Sequence, residues 1–383
     1  MKIYDVIILG AGASGLMCAS HLSEKLNVSI IDINSKVAQK LKISGGGKCN
    51  ITSTSVSSNN FDGDEEFISN ILSEYSKENL LEFLKINSLF PVIRKNRYYF
   101  CKNSSDEIIN ILKKLSNKHE LILNTKVSEV KKVNKIFEIV TDRKILKAKK
   151  VIVATGGKSF QTLGASDIGL KIAKNFDISV KEFTPALVGM TLQKDQFWMK
   201  ELSGLSCFVH IKVDEKTLKE DLLFAHRGIS GPAVLSASLY WKKAKMAINF
   251  LPKNKIKDLI RNSKKLVSSA IPLPKRLSIA ILKAIDVQDK ECKKLSSKEV
   301  EKLLDIHNYE FAPAGNFGFT KAEVSRGGVC AKELHNHSLE SKSIKNLHFI
   351  GEVVDVTGEL GGYNFQWAFS SGVICAREIN SVL

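Results

Sequence analysis

The sequence predicts an α/β fold: a Rossmann-like, dinucleotide-binding domain interrupted by an inserted domain with β-barrel-like and helical parts. Three observations predict it. A buried strand, a glycine turn and a helix start run together at Asp5-Val-Ile-Ile-Leu-Gly10-Ala-Gly12-Ala13-Ser14-Gly15. A second strand with its own glycine turn follows at Lys150-Val-Ile-Val-Ala154-Thr155-Gly156-Gly157. From about residue 188 the texture changes to short alternating segments, and a glycine-bearing strand returns only after about 325.

The opening segment is a phosphate cradle. Gly10 permits the tight turn, Gly12 lets the backbone approach a pyrophosphate, and Gly15 lets the helix pack closely on the strand. The helix start offers unpaired N–H groups and the positive end of its dipole. Leu16, Ala19, Leu22 and Leu26 continue a helical pattern. A second strand, Val28–Ile33, places Asp32 twenty-two residues after Gly10, where an acid grips ribose hydroxyls.

Residues 34–60 are rich in Ser, Gly and Asn, with Lys40 and the run Ser44-Gly45-Gly46-Gly47-Lys48-Cys49-Asn50 at their centre. Successive glycines there suggest backbone meeting a ligand. Residues 64–87 and 105–117 carry helical periodicity, and 119–148 carry strand-like segments. The domains are expected at 1–188, 189–324 and 325–383. Within the insertion, 189–251 and 306–324 are barrel-like, and 252–305 is helical, broken by Pro272 and Pro274. The last part runs through a strand at 346–351 and a glycine-rich turn into a C-terminal helix.

Composition narrows the class. The chain has 383 residues and a net charge of +17. No window is apolar enough to span a membrane. Asp5 and the glycine fingerprint interrupt the N-terminal apolar stretch, so it is not a signal peptide and the expected location is cytoplasmic. The seven cysteines lack metal or disulfide-framework spacing and read as free thiols. His335 and His337 lie in a polar loop, too short a constellation for a metal site. The positive charge is mostly Lys mixed with acids, without an Arg–aromatic cluster, and reads as a solvated surface. Nucleic acid is therefore not the expected partner; a small-molecule substrate is.

Four motifs together resemble the BaiN-type bacterial flavoproteins, a family of FAD-dependent oxidoreductases of the two-dinucleotide-binding type. They are Gly10–Gly15, Ser44–Thr52, Ala154–Gly157, and Gly351-Glu352-Val-Val-Asp355 continuing through Gly361-Gly362-Tyr363-Asn364 to Gly372. A fifth is Leu223-Phe-Ala-His226-Arg227-Gly-Ile-Ser-Gly-Pro232. The likeness covers nearly the whole chain. It implies that the N-terminal fingerprint and Asp32 hold the ADP half of FAD. It also implies that Lys40 and the 44–50 loop wrap the pyrophosphate and ribityl side, and that the Val127 backbone meets adenine. Glu352, Asp355 and the 361–364 turn would line the flavin. Gln39 stands where the family commonly carries Arg, leaving any cationic anchor to Lys40.

The 358–364 glycine turn opens a helix, so its N–H groups could face flavin N1 and the C2 carbonyl and stabilise the anionic reduced ring. FAD carries the hydride chemistry and the protein positions it. Only one full dinucleotide fingerprint is present, so NAD(P)H would bind transiently at the flavin face; alternatively, electrons pass from substrate to oxygen. Cys49 has no Cys-x4-Cys partner, which argues against a thiol relay. Arg227 is a candidate to clamp a substrate carboxylate, and His226 to shuttle a proton beside the hydride; a plain structural turn is the competing reading. Trp198 and Trp241 read as core or cap residues. The leading expectation is an oxidoreductase moving hydride between a small organic substrate and flavin N5. An RNA-modifying flavoprotein and a flavin-holding redox sensor without turnover are the alternatives.

Overall fold

The opening βαβ unit comprises β1 (Ile3–Leu9), α1 (Ala13–His21) and β2 (Val28–Ile31). Val6, Ile7, Ile8 and Leu9 are buried, as a strand covered on both faces requires. The computed structural model describes residues 2–381. These fall into two units, Met1–Pro185 with Glu323–Leu383, and Ala186–Ala322.

In the first unit the chain continues through α2 (Gln39–Gly47), β3 (Asn50–Ser53), β4 (Phe61–Asp62), α3 (Glu65–Glu74) and α4 (Lys77–Ile86). Then come β5 (Val92–Arg94), β6 (Tyr98–Phe100), α5 (Asp106–Ser116), β7 (Glu120–Ile122), β8 (Val127–Val133), β9 (Ile136–Thr141), β10 (Ile145–Val153), α6 (Ile168–Asn175) and β11 (Val180–Ala186). The main sheet runs β7-β2-β1-β10-β9-β8. Its left half is parallel, and β10-β9-β8 is an antiparallel meander. A second sheet, β3-β6-β5, is a small antiparallel layer. The helical pattern over 64–87 divides at Ser76, which caps α4 reciprocally with Asn79. α1 is shorter than the run to Leu26 suggested. Leu22 turns extended, and the Ser23 N–H donates to the Asn380 side chain at 2.9 Å, a tertiary stop that no local pattern carries.

The second unit holds β12 (Met190–Thr191), β13 (Ser206–Val213), β14 (Lys216–Ala225), β15 (Gly228–Ser230), α7 (Pro232–Tyr240) and β16 (Met246–Asn249). Short helices α8 (Ile256–Ile260), α9 (Val267–Ala270), α10 (Lys275–Ala284) and α11 (Ser297–Lys302) precede β17 (Tyr309–Phe311) and β18 (Gly315–Asn316). The sheet order is β17-β16-β13-β14-β15-β12-β18. Its strands follow an open path instead of closing as a barrel: β17 and β18 end the order unpaired with each other among the described residues. Trp198 is half-buried; it packs on Phe224, Phe250 and Tyr309 and donates to the Tyr309 hydroxyl.

The chain re-enters the first unit with β19 (Val324–Val329), β20 (Leu347–Phe349), β21 (Thr357–Gly358) and α12 (Tyr363–Ser381). β20 adds in parallel to β10. α12 is apolar around much of its circumference because it is buried on most sides. It crosses α1 closely at Gly372, where a Cβ would stand 2.7 Å from the Ser14 carbonyl oxygen. Among the described residues no helix is long and apolar enough to cross a membrane.

Candidate functional site

The three fingerprint glycines divide by what surrounds them. A Cβ on Gly10 would stand 2.3 Å from the Ala154 carbonyl oxygen, and one on Gly15 would stand 2.0 Å from the Gly10 oxygen. Both positions are filled by backbone. A Cβ on Gly12 meets nothing within 4 Å. The open side of the turn thus lies at Gly12, beside the N-terminus of α1, where Ala13 and Ser14 begin the helix. Asp32 follows β2 directly. Its carboxylate accepts from the Ala11 N–H at 2.7 Å and from the Asn34 N–H at 2.8 Å. The Asn34 side-chain amide also donates to Oδ1, at 3.0 Å, so the acid is oriented by the turn and a lone pair remains on Oδ2. The 124–127 segment joins this end: the Thr125 N–H donates to the Asp32 carbonyl at 3.0 Å, two residues before Val127.

The Ser44–Asn50 run begins as the end of α2, not as a free loop. Regular helix gives way at Ser44, and Gly45, Gly46 and Gly47 take φ of 56°, 65° and 80°. Three successive residues at positive φ, which glycine adopts without strain, carry the backbone sharply out of the helix. Gly46 and Gly47 face open space, whereas a Cβ on Gly45 would strike the Phe100 ring at 2.9 Å. Lys48 is half-buried. Cys49 is fully buried and hydrogen-bonds with Cys101, a partner that sequence spacing did not show. That bond, followed by burial, raises the Cys49 thiol well above its ordinary value. Asn50, with its amide nitrogen turned inward, donates to the carbonyls of Thr52 at 3.2 Å and Tyr99 at 3.3 Å.

The distant motifs converge on Lys40. Its ammonium lies 2.6 Å from Glu352 Oε2, and the other carboxylate oxygen accepts from the Ser325 N–H at 2.8 Å. A Cβ on Gly157 would meet Ser325 Oγ at 2.6 Å and Glu352 Oε1 at 2.8 Å, and one on Gly156 would come within 4.0 Å of Glu352. Thr155 Oγ1 is buried without a hydrogen-bond partner, against Gly169. Ser325 also accepts from the N–H groups of Lys158 and Ser159. Sequence reading missed Ser325; the Gly327-Gly328 pair breaking its strand pattern was the available signal.

The last motif divides. Gly351, at φ 73°, is held between Trp367 and Ser371 of α12 and rests on Ser14. A Cβ on Gly361 would touch the Tyr98 ring at 2.7 Å, and one on Gly362 would touch Thr52 backbone at 2.7 Å. These glycines let the entry to α12 lie directly on β3 and β6. Three expected lining residues, Tyr363, Asn364 and Asp355, make other contacts with their side chains. Tyr363 is buried edge-on to Phe61, and Asn364 closes the turn by hydrogen bonds in both directions with Gly358. The Asp355 carboxylate pairs with Lys181 at 2.6 Å. Behind the turn runs a chain not foreseen from sequence: Thr52 Oγ1 donates to Gln366, Gln366 to Ser370, and Ser370 to the Tyr75 carbonyl, all buried.

In the second unit, His226 and Arg227 occupy the exposed turn between β14 and β15. The Arg227 guanidinium lies 5.4 Å from the Phe317 ring centroid. One reading of the charge is corrected. Arg94-Lys-Asn-Arg97-Tyr98-Tyr-Phe100 is an Arg–aromatic cluster, and the structure folds it as the β5–β6 hairpin.

Gly12, Gly46 and Gly47 leave open space, Asp32 keeps an acceptor lone pair, and the helix starts of α1 and α12 supply N–H donors, a set that phosphates and a ribose would use. The residues present therefore fit FAD, and fold and site together define a flavin-dependent oxidoreductase. The chain belongs to the HI0933-like family, whose Rossmann domain matches residues 4–378. It is 35% identical over 392 residues to the ribosomal RNA dihydrouridine synthase of Haemophilus influenzae, covering 98% of both chains. It is 32% identical to the protein of that name from Escherichia coli, covering 99% of this chain and 98% of that one. Identity to the 3-dehydro-bile acid delta(4,6)-reductase of Clostridium scindens is 26% over 408 residues, covering 97% of both. Among solved structures, a quinol-fumarate reductase superposes with a TM-score of 0.53 at 12% identity, covering 100% of this chain and 72% of that one, a likeness of fold.

Proposed function

We propose that this chain is an FAD-dependent reductase of the C5=C6 bond of uridine in ribosomal RNA, acting in the cytoplasm. The observation that carries this reading is the end-to-end similarity, at 35% and 32% identity, to two proteins named for that reaction. The relative named for bile-acid reduction is more distant, at 26%. The two chemistries are of one kind: each saturates a carbon–carbon double bond conjugated to a carbonyl. Reduced FAD, when bound, supplies the hydride, which uracil accepts at C6 while C5 takes a proton.

This chain's residues supply position and charge. The Gly12 turn and the open Gly46–Gly47 turn seat phosphates, and Asp32 accepts from the ribose. Lys40, fixed by Glu352, places a cation at the junction of the four motifs. The first N–H groups of α12 lack intrahelical partners and favour negative charge on a ring beside them. The net charge of +17 supports a polyanionic substrate. NAD(P)H is proposed as the electron source. A second reading, reduction of a small enone, rests on the bile-acid relative.

The test is anaerobic incubation of FAD-loaded protein and NADPH or NADH with rRNA from cells lacking the gene, followed by nucleoside analysis. Dihydrouridine is the expected product. Inertness toward rRNA, together with turnover of a 3-keto-4-ene steroid, would move the assignment to the small-molecule reading.

A further inference from the structure

We infer that the β5–β6 hairpin is an RNA-docking surface beside the cofactor site; this rests on the RNA reading proposed above. Residues 86–102 contain four basic and four aromatic residues and no acid. The turn is fixed by its backbone: Lys95 and Asn96 take φ of 50° and 51°, and the Arg97 N–H donates to the Arg94 carbonyl at 3.0 Å. This presents Arg94 and Lys95 at an exposed tip. Below them, Phe90 is 67% exposed and Ile93 is 52% exposed.

Charge on an edge strand has a plainer use, since basic residues guard edges against pairing. A guard needs no exposed Phe90 and Ile93 beside it, because exposed apolar groups undo the protection. Cations interleaved with aromatic rings are what single-stranded nucleic acid requires: charge follows the backbone, and ring faces stack with bases. The Arg94 and Arg97 guanidinium groups already lie 4.9 Å and 5.2 Å from the Phe100 and Tyr98 ring centroids. Placement supplies the second argument. Phe100 abuts Gly45 of the left-handed glycine run, and Tyr98 abuts Gly361 at the entry to α12. The hairpin is thus seated on two of the glycine turns that form the cradle. A strand held there would lie next to the site, ready to present an unstacked base.

The probe is a fluorescent 12-mer of oligouridine, titrated against full-length, FAD-loaded protein at several salt concentrations. Arg94→Glu with Lys95→Glu is expected to weaken binding about tenfold or more at 0.1 M salt. The slope of log affinity against log salt should become shallower by roughly 1.4, two contacts at about 0.7 each. Phe90→Ser should weaken binding and leave the slope unchanged. Flavin absorbance and melting temperature report folding, and Arg94→Gln with Lys95→Gln serves if reversal unfolds the chain. Unchanged affinity and slope in both double variants would overturn the inference. So would loss of binding to phosphatidylglycerol vesicles with RNA binding intact, which would mark a membrane surface. If both wild type and variants make dihydrouridine equally well, the hairpin inference fails alone. If oligouridine binding depends on Arg94 and Lys95 but rRNA is never reduced, the surface stands and the uridine-reductase reading fails.

Discussion

At the scale of single residues, the fingerprint glycines separate fold from function. Gly12→Ala puts a methyl group into open space at φ −83°, a conformation any residue accepts. The apo protein should keep its stability within about 0.5 kcal/mol, while FAD affinity falls roughly ten- to a hundredfold, or about 1.4–2.8 kcal/mol. Gly15→Ala drives a methyl group into the Gly10 carbonyl and should destabilise the apo fold by about 1–3 kcal/mol or more. Apo melting curves beside flavin titrations check both; equal behaviour of the two variants would refute the division. These glycines were legible in the sequence because their spacing encodes a local turn. Ser325 and Cys101 were not: each meets its partner, Glu352 or Cys49, only through distant chain crossings.

At the scale of elements, the buried chain from Thr52 through Gln366 to Ser370 ties β3 to α12. Thr52→Val removes the donor and leaves the Gln366 oxygen buried and unpaired. The expected loss is about 1–3 kcal/mol, and Thr52→Val with Gln366→Leu should cost less than the two single losses added. Denaturant unfolding measures it, and additive losses would contradict the link. In β13, burial pushes the Cys207 thiol up to about 12. A thiol raised in the fold contributes stability that is complete below its unfolded value, about 8.5, and that is lost as pH rises toward the folded one. Stability should therefore fall above pH 9 by about 1.4 kcal/mol per unit from this group, and Cys207→Ala should flatten that fall. Identical alkaline slopes would remove Cys207 as the cause. Element type followed from the apolar pattern, since the parallel strands are continuous apolar runs and the amphipathic helices repeat at 3.6 residues. The end of α1 and the open path of the second sheet did not follow, because each is decided by contacts made far along the chain.

At the scale of the whole molecule, the excess charge looked featureless because it was counted over the chain. Part of it is contiguous at Arg94-Lys95-Asn96-Arg97, and the fold sets that run at the β5–β6 turn, next to aromatic rings and two glycine turns of the cradle. Sequence motifs identified the cofactor class, since phosphate recognition is built from local backbone. The substrate was not legible, because no local pattern encodes what a flavin reduces. We propose that electrons held by this chain's flavin pass to uridine in rRNA. The most direct measurement follows flavin absorbance and dihydrouridine together, in a single anaerobic turnover of the reduced protein with unmodified rRNA. Flavin reoxidation and dihydrouridine formation are expected to proceed with equal yield and at the same rate. Flavin that stays reduced in the presence of rRNA, yet is promptly oxidised by a small enone or by oxygen, would contradict it.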